Sequence, residues 1–110
     1  MSFLGVGTLV VAKHDTGVCR KGEVGLCYHV SAVDGSPCFG ILFEYGDYDG
    51  FTLEEVERFL SVSETVFEPL ANYQFDSTLQ LVDDYRRGKF ASVFPTRSSY
   101  PTRPRQNHLV

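Results

Sequence analysis

Three side chains with coordinating or nucleophilic chemistry cluster in one short stretch of the chain: Cys27, His29 and Cys38. Two thiols and an imidazole within reach of one another can bind Zn²⁺ or form a reactive thiol pair. Cys19, in the preceding loop, is a possible fourth ligand. The paired C-x₂-C spacing of a strong zinc signature is absent, so the expectation is no metal and no cofactor. The run Asp47-Tyr48-Asp49-Gly50 invites a calcium reading. With Gly50 at the sixth position of an EF-hand loop, Tyr45 falls at the first and Val56 at the twelfth, where acids are required, so the register fails. His14 and Asp15 could be combined with Ser31 or Cys27 as base and nucleophile, but no glycine-framed nucleophile elbow or other catalytic motif is present. The chain reads as non-enzymatic.

A second cluster carries charge. Glu44, Asp47, Asp49, Glu54, Glu55 and Glu57 lie close together, with Arg58 as the adjacent counter-charge and Tyr45, Tyr48 and Phe51 between them. Such a surface suits a protein partner with a basic face. Tyr48 and Phe51 would anchor it, while Asp47, Asp49 and Glu54 steer it and Glu44 and Glu55 extend the patch. Acids spaced along a turn and a helix can also imitate a phosphate backbone, as an inhibitor of a nucleic-acid-handling or defence enzyme would.

The chain has 110 residues with a formal net charge of −4. All 14 Asp and Glu lie in residues 1–87, whereas residues 88–110 hold Lys89, Arg97, Arg103 and Arg105 and no acid. An acidic body argues against direct nucleic-acid binding, because phosphate affinity comes from clustered Lys and Arg. No apolar run is long enough to span a bilayer, and the N-terminus lacks a signal-peptide pattern. Three cysteines leave an odd thiol, which favours reduced thiols and a cytoplasmic protein.

These residues are positioned by a hairpin over Gly22 to Tyr45. Asp34-Gly35 supplies the positive φ angles of a two-residue type I′ turn. From that turn, Val24, Leu26, Tyr28 and Val30 are expected opposite Tyr45, Phe43, Ile41 and Phe39 on one apolar face. Glu23, Cys27, His29, Cys38, Leu42 and Glu44 then fall on the other. A first strand is expected over Thr8 to Lys13, and 46–50 reads as a turn. Thr52 can cap one helical turn over Leu53 to Val56, with Glu55 closing a capping box. Phe59 to Phe67 alternates as a strand, and a short strand is expected over Asn72 to Phe75. Asp76 is the expected N-cap of a helix over Ser77 to Arg87, with Gly88 after its end. The expected layout is one domain over residues 1–94 and a disordered, basic, proline-containing tail over 95–110.

Short strands joined by tight turns, with a one-turn helix before the last long strand, make Leu9 to Phe67 resemble small SH3-like β-barrel proteins. The resemblance implies a mainly β, partly open barrel of about five strands, followed by the C-terminal helix. Its open edges would allow pairing with a second copy. The phrase from Tyr48 to Leu60 also resembles an uncharacterised family of small bacterial and phage proteins. The acidic aromatic run and the Trp of peptide-binding SH3 domains are missing, which argues against PxxP recognition.

Overall fold

The computed structural model describes residues 4–94. The tail expected over 95–110 lies outside the described residues. Five antiparallel strands form one open sheet in the order β4-β3-β2-β1-β5. They are β1 (Thr8–Ala12), β2 (Val24–Val33), β3 (Ser36–Phe43), β4 (Tyr48–Thr52) and β5 (Leu60–Val66). Helix α1 (Leu53–Phe59) joins the two edge strands, a 3₁₀ turn covers Glu68–Leu70, and α2 (Thr78–Arg86) follows.

The hairpin turn is the expected one. Asp34 and Gly35 have φ of 53° and 80°, and Val33 pairs with Ser36. The expected register runs back to His29 opposite Gly40, then slips by one residue. Beyond the slip, Cys27 pairs with Ile41, Leu26 with Leu42 and Gly25 with Phe43. The extra residue is Tyr28, and it forms a β-bulge. A one-residue slip exchanges the two faces of a strand. Cys27 therefore joins Ile41 and Phe43 on the inner face, while Leu26, Tyr28 and Leu42 turn to the other. This corrects the expectation of one apolar and one polar face.

Both faces are apolar because both are covered. The inner cluster gathers Val10, Ala12, Cys19, Cys27, Phe39, Ile41, Phe43, Phe51, Val56 and Leu60. The outer cluster joins Leu26, Tyr28 and Leu42 to Leu70, Leu81, Phe90 and Phe94 from the C-terminal segment. Tyr85 of α2 fastens that layer, its hydroxyl donating to the Glu44 carbonyl at 2.7 Å. Glu23, expected on the polar face, is buried, and its Oε1 accepts the Arg20 N–H at 2.7 Å.

Four boundaries differ from the expectation. The stretch 46–50 is not all turn: the chain reverses through Gly46, whose N–H donates to the Phe43 carbonyl, and Tyr48 already begins β4. Asp49 and Gly50, read as turn formers, lie in that strand because Phe51 beyond them has a core site to fill. Helix α1 runs to Phe59, with the Thr52–Glu55 capping box in place. Residues 72–75 form no strand, and the N-cap of α2 is Ser77 rather than Asp76, because Ser77 and Gln80 close a second capping box.

At the bulge, the Tyr28 ring lies across Gly40. A Cβ on Gly40 would stand 2.6 Å from Tyr28 Cζ. Gly40→Ala is expected to destabilise the fold by about 2 kcal/mol through this overlap. In a Tyr28→Ala background the same substitution should cost much less, by urea denaturation of both pairs. Equal costs in the two backgrounds would mean that the ring does not rest on Gly40.

Candidate functional site

The thiol–imidazole set is separated by the sheet itself. Cys27 is fully buried on the inner face and donates to the His29 carbonyl at 3.6 Å. Burial pushes its thiol up to about 11, with that hydrogen bond acting the other way. Cys19 is also buried in the inner cluster, its Sγ 3.2 Å from Thr16 Oγ1. His29 and Cys38 lie across the sheet from Cys27. His29 pairs with Gly40, and its ring packs against Phe75 with centroids 4.9 Å apart. Cys38 is half-buried and stands opposite Ser31 and Thr52. The expected common face of Cys27, His29 and Cys38 is thus corrected by the bulge. Among the described residues, no three His, Cys, Asp or Glu side chains converge on a metal position.

The hydrolytic set is dispersed as well. His14 is exposed and meets Phe59 edge-on, with centroids 6.4 Å apart. Asp15 Oδ1 accepts the Lys21 N–H at 2.8 Å within its loop. Ser31 sits exposed near the hairpin tip.

The acidic stretch divides into residues that build the fold and residues that face outward. Glu44 Oε1 accepts the Val24 N–H at 2.9 Å, and its carbonyl holds Tyr85. Phe51 is 5% exposed and packs edge-on against Phe43. Its expected role as an exposed anchor is corrected: it points into the inner core, because β4 runs straight through Asp49-Gly50. Tyr48 is half-buried against the outer cluster. Asp47 is half-buried, and its carbonyl receives the Phe43 N–H across the tight reversal. Asp49 is exposed, and its Oδ1 accepts the Gly50 N–H at 2.8 Å. Glu55 is exposed and accepts the Thr52 N–H at 2.9 Å. Glu54 and Glu57 are exposed on α1. The neighbouring cation, Arg58, lies over the Phe59 ring at 5.9 Å. The result is an acidic rim along the free edge of β4 and the outward side of α1.

Two further features escaped the sequence reading. The first is a cleft of about 600 Å³ bordered by Tyr73, Phe75, Asp76, Gln80 and Lys89. Its polar groups are largely engaged with one another. Tyr73 Oη and Gln80 Nε2 both donate to Asp84 Oδ2, at 2.7 and 3.0 Å, and Gln80 Nε2 also reaches the Gln74 carbonyl. Burial first, then the bond to Asp84, pushes the Tyr73 phenol upward. The second is Tyr28, 6% exposed, whose ring lies over Gly40. Burial first, then the nearby Tyr48, Asp49, Cys27 and Cys38, pushes its phenol up to about 12. The sequence signal for this feature was Gly40, a strand glycine that only a close approach explains.

Compared with known proteins, the chain matches no family, no curated protein and no solved structure. No helix among the described residues is long and apolar enough to cross a membrane.

Cys27 and Tyr28 hold their protons more tightly in the folded chain than the ordinary values of 9.0 and 10.0 allow. Their contribution to stability is therefore present in full below pH 9, and it is lost as pH rises through the window up to about 12. The urea midpoint is expected to stay level from neutral pH to the lower edge of that window and to fall within it. Cys27→Val should flatten the first part of the fall, and a fall of unchanged shape would show that Cys27 does not contribute.

Proposed function

We propose that this chain is a non-enzymatic protein-binding module whose partner presents a basic surface to the β4–α1 rim. The observation that carries the reading is the excess of acidic side chains there, beside which Lys13 Nζ donates to the Glu57 carbonyl at 2.7 Å. Asp49, Glu54, Glu55 and Glu57 are all exposed, while the adjacent Arg58 is turned onto Phe59. A salt bridge from Arg87 to Asp83, at 2.7 Å, lies at the C-terminal end of α2. A surface of one sign beside a sheet edge raises the encounter rate with a cationic partner and selects against acidic ones. With Phe51 in the core, the apolar contribution at this rim falls to Tyr48 and to Leu53, which is 49% exposed on α1.

We also read the sheet as an SH3-like barrel. Its order, β4-β3-β2-β1-β5, with a short helix joining the two edges, supports that reading. Such a scaffold holds a rim rigidly while leaving its edge strands accessible. Reduced thiols and the acidic body suit a cytoplasmic protein that acts as an adaptor rather than on nucleic acid directly.

The test uses two charge reversals of equal size in the full chain. Asp49→Lys with Glu54→Lys changes the rim, and Glu64→Lys with Glu68→Lys changes β5 and the 3₁₀ turn. A partner recovered from host lysate by the wild-type chain should be lost with the rim variant and kept with the control, and its association should weaken with salt. Equal loss with both variants would reduce the effect to overall charge, and retention with both would remove the rim from the interface.

A further inference from the structure

The end of the β2–β3 hairpin stands clear of the strands on either side. Strand β1 pairs with β2 as far as Leu26, and a bond from the Gly7 N–H to the Cys27 carbonyl follows. Strand β4 pairs with β3 no nearer the hairpin tip than Cys38. Val30, Ser31, Ala32 and Val33 are all exposed, Val33 at 57%. The direction of their backbone groups follows from the turn. Beside a two-residue turn the flanking pair, here Val33 and Ser36, exchanges hydrogen bonds, and bonded and non-bonded pairs then alternate. Val33 and Ser31 therefore bond to β3, whereas Val30 and Ala32 point their N–H and C=O groups the other way, along the free edge of β2. Opposite Ala32 stands Pro37, which has no N–H to give, as the alternation allows.

This edge is unguarded where other edge positions are blunted. On β4, Gly50 and Thr52 give their N–H groups to Asp49 and Glu55. On β5, the Leu60 N–H goes to the Val56 carbonyl and the Thr65 N–H to Ser63 Oγ. On β3, Pro37 occupies the outward position near the tip. Sheets carry such devices because a bare row of donors and acceptors recruits another strand. Residues 30–33 have no charged side chain and no proline. Charge narrows the occupant. A chain of net charge −4 repels its own copies at long range, so a contact between copies needs a stretch with little charge. Residues 29–37 hold no Lys or Arg and a single acid, Asp34.

We propose that the free edge of β2 pairs with the same edge of a second copy, forming an antiparallel two-fold dimer centred on Ser31. The outward groups set the register. Val30 pairs with the partner's Ala32, and Ala32 with the partner's Val30, so every outward N–H and C=O of these residues meets its complement in the other copy. An axis through Val30 or Ala32 itself would leave the other of the two against the bulge or the turn. Val30 lies opposite the inward-facing Phe39, so it meets the partner's Ala32 on the inner face, where both side chains are now wetted. Ser31 faces its own copy across the axis, on the outer face. Val33 comes opposite the partner's His29, and Asp34, the next residue, brings the acid of the tip towards that imidazole. The dimer uses β2 and is independent of the β4–α1 rim.

The test is sedimentation velocity of the full chain over a range of concentrations. The wild type is expected to shift from monomer towards dimer as concentration rises. Ala32→Pro removes an outward N–H that β3 does not use, so the dimer should be lost while the urea midpoint holds. Ser31→Glu and Ser31→Lys leave the backbone whole. Each alone sets like charges face to face across the axis and should weaken association about fivefold, whereas an equal mixture of the two should associate more tightly than either alone. A wild type that stays monomeric up to millimolar concentration overturns the proposal. A dimer that survives Ala32→Pro, or a mixture that associates no more tightly than the single variants, overturns it as well and puts the contact between copies elsewhere.

Discussion

The extra residue at Tyr28 decides which side of the sheet every later contact belongs to. Ahead of it, β2 offers Cys27 inward beside Ile41. After it, His29 looks outward beside Gly40. Tyr28 itself goes outward, and the only room for its ring is above a residue without a side chain. Gly40 supplies that room. With the bulge in place, Leu26, Tyr28 and Leu42 form an apolar strip on the outer face that water would otherwise wet. A second layer is then required. Chain positions 67–94, which a single-faced sheet would leave idle, provide it through Leu70, Leu81, Phe90 and Phe94. The fold is thus two cores sharing one sheet, and the bulge is what divides the apolar residues between them.

Directional bonds fix the second layer where apolar contact alone would allow sliding. Tyr85 on α2 donates to the carbonyl of Glu44, and the Glu44 side chain accepts from Val24. One residue at the β3 end thereby ties helix to sheet and β3 to β2. Tyr73 and Gln80 both meet Asp84, which fastens the 72–75 segment to α2. That segment then delivers Phe75 to the rings of Tyr28 and His29. The outer face is closed over the bulge and left open over Gly50 and Cys38. This difference is why one thiol of three remains reachable.

The sequence revealed more of the architecture than of the surface. The Asp34-Gly35 turn, the Thr52–Glu55 capping box, β1, β5 and the C-terminal helix all rest on interactions between residues a few positions apart, or on a simple period. Those signals are written locally. The bulge is not, since a strand with apolar residues on both faces satisfies either register until the layer covering it is known. Placing Cys27 with His29 and Cys38, and expecting a single buried face, follow from that one ambiguity. Phe51 was misplaced for a related reason. Asp49-Gly50 has the composition of a turn, and only the tertiary demand for a ring beside Phe43 extends it into β4. The exposure of Asp49, Glu54 and Glu57 was legible because the neighbouring sequence offers them only Arg58 as a counter-charge, while Lys13, which reaches the Glu57 carbonyl, is remote in sequence.

The acids of β4 and α1 serve the fold as well as any partner, and the two uses do not conflict. An open sheet leaves an edge strand with N–H groups that invite another strand. On β4, the Gly50 N–H goes to Asp49 Oδ1 and the Thr52 N–H to Glu55 Oε1. Each carboxylate occupies a donor that strand pairing would need and places a negative charge where a second copy would approach with the same charge. Pairing of β4 with the β4 of an identical chain is therefore opposed twice, by occupied donors and by repulsion. A cationic partner meets the reverse situation. It is attracted by the same charges, and it can contact the outer oxygens of those carboxylates without breaking the bonds that their inner oxygens make. On the proposed reading, the edge is protected from its own kind by the same feature that would select a cationic partner.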